Sequence, residues 1–193
     1  MTRYLYTALR ISFLTILLLG VGYPLLVTGL AQLFFPQQAR GSLVHSGSTL
    51  VGSTLIGQTF TGPGYFHSRP SAADTGYDAA ASGGSNLGPT SSGLVARVTA
   101  DVQTAKQENP GLTQVPVDMV TTSASGLDPD ITPANAFAQA PRVARERKLS
   151  VDTVQQLVTA QTTGRQFGIL GEPRVNVLQL NQALDALAQV AKP

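Results

Sequence analysis

The chain lacks cysteine and tryptophan altogether, holds two histidines, and carries charge on only 12% of its 193 residues. Without cysteine there is no disulfide framework, so stability must come from packing or from a partner. His45 and His67 have no cysteine or carboxylate at ligand spacing, so no metal site is expected. Charge is about half as frequent as in a typical soluble domain, which fits a surface largely covered by other subunits. The formal charge is +2, yet residues 41–193 hold 10 of the 13 basic residues and all 11 acidic ones, net −1. No basic face is then on offer to phosphates, which excludes nucleic acid as a partner.

What the chain does have is an uninterrupted apolar run, Ile11–Phe35, 25 residues without a charge, of which 15 are Leu, Ile, Val or Phe. As a helix it would extend roughly 37 Å, more than a hydrocarbon core of about 30 Å. The competing reading is a cleaved secretory signal, for which Gly29-Leu-Ala31 offers small residues. The apolar region of such a signal is usually about 7–15 residues, and this run is far longer, so an uncleaved membrane helix is predicted. Pro24 falls inside it, where a membrane helix tolerates proline with a kink. Arg3 and Arg10 precede the run, and only Arg40 follows closely before Arg69. Basic flanks stay cytoplasmic, so the reading is a cytoplasmic tail over 1–10, a single transmembrane helix over 11–35 and one exported domain over 36–193.

Within that domain Leu43-Val44 and Thr49-Leu50-Val51 flank His45-Ser-Gly47 as a short hairpin, with Leu55-Ile56 and Phe60 extending the sheet edge. Thr61-Gly-Pro-Gly64 is a turn, and residues 72–92 read as a loop. A helix begins at Ser91 or Ser92, carries Leu94, Val98, Val102 and Ala105 on one stripe, and ends at Asn109-Pro-Gly111. Residues 115–121 read as a strand, with Pro116 at its start or edge. Thr132 then caps a helix with Pro133 at its first position, and Pro141 predicts a kink or two short helices. Ser150 caps the next helix, closed by Gly164, and Asn176 caps the last, with Val177, Leu180, Leu184 and Leu187 in register. The expected fold is α+β, a small sheet with four to five helices.

No catalytic constellation emerges. Ser82-Gly-Gly-Ser-Asn-Leu87 could form a backbone nest for an anion, but no lysine follows as in a phosphate loop, and a surface loop or partner contact is the simpler account. Asp128-Pro-Asp130 lacks the glycine and glutamate that a calcium loop requires, and helix capping explains both aspartates. Arg142, Arg145, Arg147 and Lys148 cluster at a helix C-terminus, where the dipole favours cations. Arg69 and Arg142 are candidates for buried contacts to partner carboxylates, and Tyr65 and Phe66 for apolar interface anchors.

Five blocks in order carry a resemblance: Tyr65-Phe66 with Arg69-Pro-Ser71, Ser82–Leu87, Ser123-Ala-Ser-Gly-Leu-Asp128, Arg142-Val-Ala144, and Arg174-Val-Asn176 with Leu180-Asn181. Together they resemble the C subunit family of the Kdp-type potassium-transporting ATPases of bacteria, from the membrane span to about Leu187. The resemblance implies a non-catalytic accessory subunit, single-pass in the inner membrane, with its domain in the periplasm. It implies as partners a K⁺-selective channel-like subunit, a P-type ATPase subunit and a small hydrophobic peptide, in a complex that uses ATP while this chain holds no cofactor of its own. It also implies support of assembly and a raised ATP affinity of the ATPase subunit, with Ser82, Gly83, Gly84, Ser85, Asn86 and Leu87 as the nucleotide contact. A domain in the periplasm conflicts with that contact, because ATP is absent there. A free-standing anchored binding module and an exported hydrolase are the alternatives: the first would keep its ligand without partners, the second would turn over substrate alone.

Overall fold

A computed structural model describes residues 1–190, in two compact units, Met1–Ser53 and the chain from Thr54 onward. The first unit is dominated by helix α1, Thr2–Phe34, so the ten-residue tail before the apolar run is itself helical. None of the most apolar 18-residue window of α1 is buried, and its mean hydropathy is 2.1. A helix apolar on every face needs an apolar surround. Over Ile16–Gly22 the helix widens to π geometry, and the Tyr23 N–H reaches back five residues to Leu18 O. Pro24 has no N–H for the carbonyl four residues back, and the π turn changes the hydrogen-bond register just before it. Helix α2, Pro36–Ala39, follows, then the expected hairpin: β1, Leu43–Ser46, antiparallel to β2, Thr49–Ser53. Ser53 Oγ donates to Gly41 O at 2.7 Å, tying the end of the hairpin to its start.

The second unit begins with irregular chain. Leu55, Ile56 and Phe60 join no strand; Phe60 packs instead against the hydrophobic core. Helix α3, Ser92–Glu108, has Leu94, Val98 and Val102 half-buried and Ala105 buried, as its stripe predicts, and stops at Asn109. Residues 115–121 are not a strand. A 3₁₀ turn, Val117–Met119, stands there because the Asp118 carboxylate turns inward, accepting from Thr132 N at 2.7 Å and Asn135 Nδ2 at 3.0 Å.

The core is built where α4, Pro133–Arg147, α5, Val151–Gln161, and α6, Val177–Val190, pack on a three-stranded sheet. That sheet runs β3 (Asp130–Ile131), β5 (Arg174–Asn176), β4 (Thr162–Thr163), antiparallel throughout, and none of it is visible in the sequence pattern. Thr162 and Thr163 pair with β5 directly after α5, so the helix ends there and not at Gly164. The caps are as expected: Thr132 Oγ1 accepts from Asn135 N, Ser150 Oγ from Thr153 N and Asn176 Oδ1 from Gln179 N. Helix α4 continues through Pro141 as one helix and ends at Lys148, which takes the left-handed conformation and donates to Ala144 O and Arg145 O. Ala136, Ala140, Val143 and Ala144 give it a small-residue face, and that face is held in the core with Val154, Val158, Leu180 and Leu184.

Candidate functional site

The residues marked out by the sequence converge on two places within the second unit. The first is a clamp on Tyr65–His67. This segment belongs to no helix and pairs with no strand, so its backbone groups need other partners. Asn181 on α6 supplies two: its Oδ1 accepts from Phe66 N and its Nδ2 donates to Phe66 O, both at 2.9 Å. Gln139 on α4 does the same for His67, accepting from its N at 2.8 Å and donating to its O at 3.0 Å. Arg142 donates through Nη1 to Tyr65 O at 2.9 Å and to Pro63 O, through Nη2 to Gln139 Oε1 at 2.7 Å and through Nε to Asn109 Oδ1 at 3.1 Å. Burial pushes the Arg142 guanidinium below its ordinary range, while Glu108 and Glu146 draw it back up. His67 faces an acceptor on each side, Glu108 Oε2 at 3.3 Å and Gly62 O at 3.1 Å.

Tyr65 sits beneath Arg147, whose guanidinium lies 4.3 Å above its ring, and both reach Asp185: the hydroxyl at 3.2 Å and Arg147 Nη2 at 2.8 Å. Phe66 is completely buried in the core and Arg142 is 3% exposed. Both side chains are packed within this chain's own fold. The guanidinium donors of Arg142 go to the backbone carbonyls of Pro63 and Tyr65 and to the side-chain oxygens of Asn109 and Gln139, all within this chain.

The second place is a loop junction, where three of the blocks meet. Arg69 pairs with Asp128, Nη1 to Oδ2 at 2.9 Å, and donates from Nε to Thr121 O at 3.2 Å. These bonds hold Arg69 within its own chain. Ser71 Oγ donates to Gly126 O at 2.6 Å and accepts from Tyr77 N, whose side-chain hydroxyl returns to Arg69 O at 2.8 Å. Burial pushes the Tyr77 hydroxyl above its ordinary value. The Gly-rich loop lies along the Ser123–Asp128 loop: Gly83 N donates to Ser125 O at 2.8 Å and Ser82 Oγ to the same oxygen at 3.0 Å. Ser82, Asn86 and Leu87 are exposed, while Gly83, Gly84 and Ser85 are half-buried.

Gly126 explains why small residues are needed here. Its φ is +69°, and a Cβ would stand 2.8 Å from both Ala73 Cβ and Gly83 O. The aspartates are not helix caps either. Asp128 Oδ1 accepts from Asp130 N at 3.0 Å beside its pair with Arg69, and Asp130 pairs with Arg174 at 3.0 Å. A shallow cleft beside the junction is lined by Leu55, Ile56, Arg69, Leu127 and Asp128. The clamp by Gln139 and Asn181 went unseen in the sequence. Its only sequence signal is an amide side chain on the apolar stripe of each helix.

Comparison with known proteins follows the same blocks. The family described as K⁺-transporting ATPase, c chain, matches residues 5–186. A chain from Acidobacterium capsulatum is 58% identical over 185 residues, covering 96% of this chain and 99% of its own. One from Koribacter versatilis is 55% identical over 193 residues, all of both chains, and one from Rhodospirillum rubrum is 56% identical over 186 residues, 96% of each. All three carry the name Potassium-transporting ATPase KdpC subunit.

Proposed function

This chain belongs to the family of K⁺-transporting ATPase c chains, and we propose that it is the non-catalytic subunit that stabilises the assembled pump from the outer side of the inner membrane. On this reading its partners are a K⁺-selective channel-like subunit, a P-type ATPase subunit and a small hydrophobic peptide. The observation that carries the reading is α1, 33 residues long with no covered side chain in its most apolar window. Arg3 and Arg10 hold its N-terminus in the cytoplasm, which puts the second unit in the periplasm. Helix association in lipid lacks the hydrophobic drive available in water, so the second unit supplies most of the docking energy.

The junction around Ser82–Leu87 supports a brace more than a nucleotide cradle. The Gly83 N–H, which an anion would need, is already given to Ser125 O, and Arg69, the cation at the junction, is paired with Asp128. Effects on ATP affinity, on this reading, reach the ATPase subunit through the assembled complex. Two experiments test the proposal. With Lys106→Cys, an exposed position on α3 in a chain that has no native cysteine, a membrane-impermeant thiol reagent should label cells with a permeabilised outer membrane. Labelling only after the inner membrane is broken would overturn the topology. Pump purified without this chain should lose its partner subunits from one another in detergent and lose K⁺-stimulated ATPase activity. Retention of both would overturn the role, and steady ATP turnover by the chain alone would overturn its non-catalytic status.

A further inference from the structure

The segment between β4 and β5 presents apolar side chains outward from a rigid support. Phe167 is 91% exposed, Ile169 75% and Leu170 54%, although every other strand-proximal apolar residue of this sheet, Ile131 and Val175, is at most 2% exposed. The loop is closed on itself. Gln166 N donates to Leu170 O and Leu170 N to Gln166 O, both at 2.9 Å, and Gly168 N donates to Arg165 O at 3.1 Å. Below this, Arg165 Nη2 meets both carboxylate oxygens of Glu172, at 2.8 and 2.7 Å. Phe167 itself adopts φ +53°, a conformation that a phenylalanine occupies only when its surroundings impose it. A flexible loop would fold its phenylalanine back onto the protein; this one holds it away.

We infer that the tip Phe167–Leu170 is a preformed docking knob that inserts into an uncharged, apolar pocket on a neighbouring subunit of the pump. The inference rests on the accessory-subunit reading. Charge selects the occupant. The base of the knob is an ion pair closed on itself, and the next cation along, Arg174, is paired with Asp130 at 3.0 Å. Lipid headgroups attract tips that carry unpaired Lys or Arg beside the apolar residues, and this tip has none. A protein pocket instead rewards an aromatic anchor whose ordering cost is already met by its own loop.

A single probe decides the matter. In the cysteine-free chain, Phe167→Cys places one thiol at the tip; the full pump is purified and reconstituted in vesicles of phosphatidylethanolamine and phosphatidylglycerol. The inference predicts thiol labelling at least tenfold slower in the assembled pump than in the free full-length chain in detergent. A fluorophore attached to the thiol before assembly should weaken association and, in whatever complex forms, escape quenching by spin-labelled lipid. Quenching by that lipid would overturn the inference in favour of the membrane surface, and equally fast labelling in pump and free chain would overturn it outright. Phe167→Ser with Ile169→Ser should accelerate loss of the chain from the pump at least tenfold, while Val95→Ser, on exposed α3, should not. If the pump needs this chain but tolerates the double substitution, the knob is wrong and the accessory role stands. If the pump never needed the chain, the accessory role is wrong.

Discussion

At the scale of single residues, Asn181 and Gln139 do what a neighbouring strand would otherwise do. Each offers an amide whose acceptor and donor match one residue's N–H and C=O, at 2.8–3.0 Å. Truncating Asn181 strands both backbone groups of Phe66 in a buried site, where an unmet group costs about 1–3 kcal/mol. Asn181→Ala should therefore lower the unfolding midpoint of the purified full chain markedly, by that order of free energy in a chemical unfolding series. Asn181→Asp should be better tolerated at low pH, where the protonated carboxyl can both accept from Phe66 N and donate to Phe66 O, than at a pH where it is ionised and buried against that carbonyl; equal stability of wild type and Asn181→Ala would show that the clamp is idle. Asp130 makes the second residue-scale case. Burial raises its carboxyl above the ordinary 3.8, against the lowering by Arg174. The folded chain then holds that proton more tightly than the unfolded one, so this group's contribution to stability falls as pH rises from the ordinary value through the raised one. Asp130→Asn should flatten the pH–stability curve in that window, and an unchanged slope would contradict the assignment.

Elements differ in how plainly the sequence announces them. The caps at Thr132, Ser150 and Asn176 are local, each bonding an N–H three residues on, and they read correctly. The loop junction can be tested as an element. Gly126→Ala puts a Cβ 2.8 Å from Gly83 O at φ +69° and should destabilise by about 1–3 kcal/mol. Gly88→Ala, in the neighbouring stretch with nothing within 4 Å, should be close to neutral. Equal unfolding midpoints for the two variants would remove the junction's claim to be packed.

The sheet β3–β5–β4 was illegible because its strands are two or three residues long and because β3 finds its partner far along the chain, Asp130 pairing with Asn176 and Ile131 with Val175. The clamp was illegible for the same reason: Phe66 and Asn181 lie 115 residues apart. Local rules misled at prolines. Pro116 opens a 3₁₀ turn fixed by Asp118, and α4 runs through Pro141 because the small-residue face on either side packs the same core. The blocks that carry the family resemblance were visible as sequence, but their convergence on a clamp and a junction was not.

At the scale of the molecule, the chain divides an anchor from a working unit, Met1–Ser53 from the chain beyond Thr54. The long apolar helix of the first unit is uncovered and long enough to span a membrane, and the second unit ties three of its arginines internally: Arg69 on Asp128, Arg142 on backbone carbonyls and amide oxygens, Arg147 on Asp185. Such a unit has little charge left for steering ligands and much apolar surface for contact, as sparse charge in the sequence suggests. The chain's place in a K⁺-transporting ATPase family gives that surface its partners. The most direct measurement is co-purification of the pump's other subunits with a tagged chain ending at Ser53, beside the full-length chain, under identical detergent. The account predicts that the full chain retains the partner subunits and their K⁺-stimulated ATPase activity while the truncated chain loses both; retention of both by the truncated chain would contradict it.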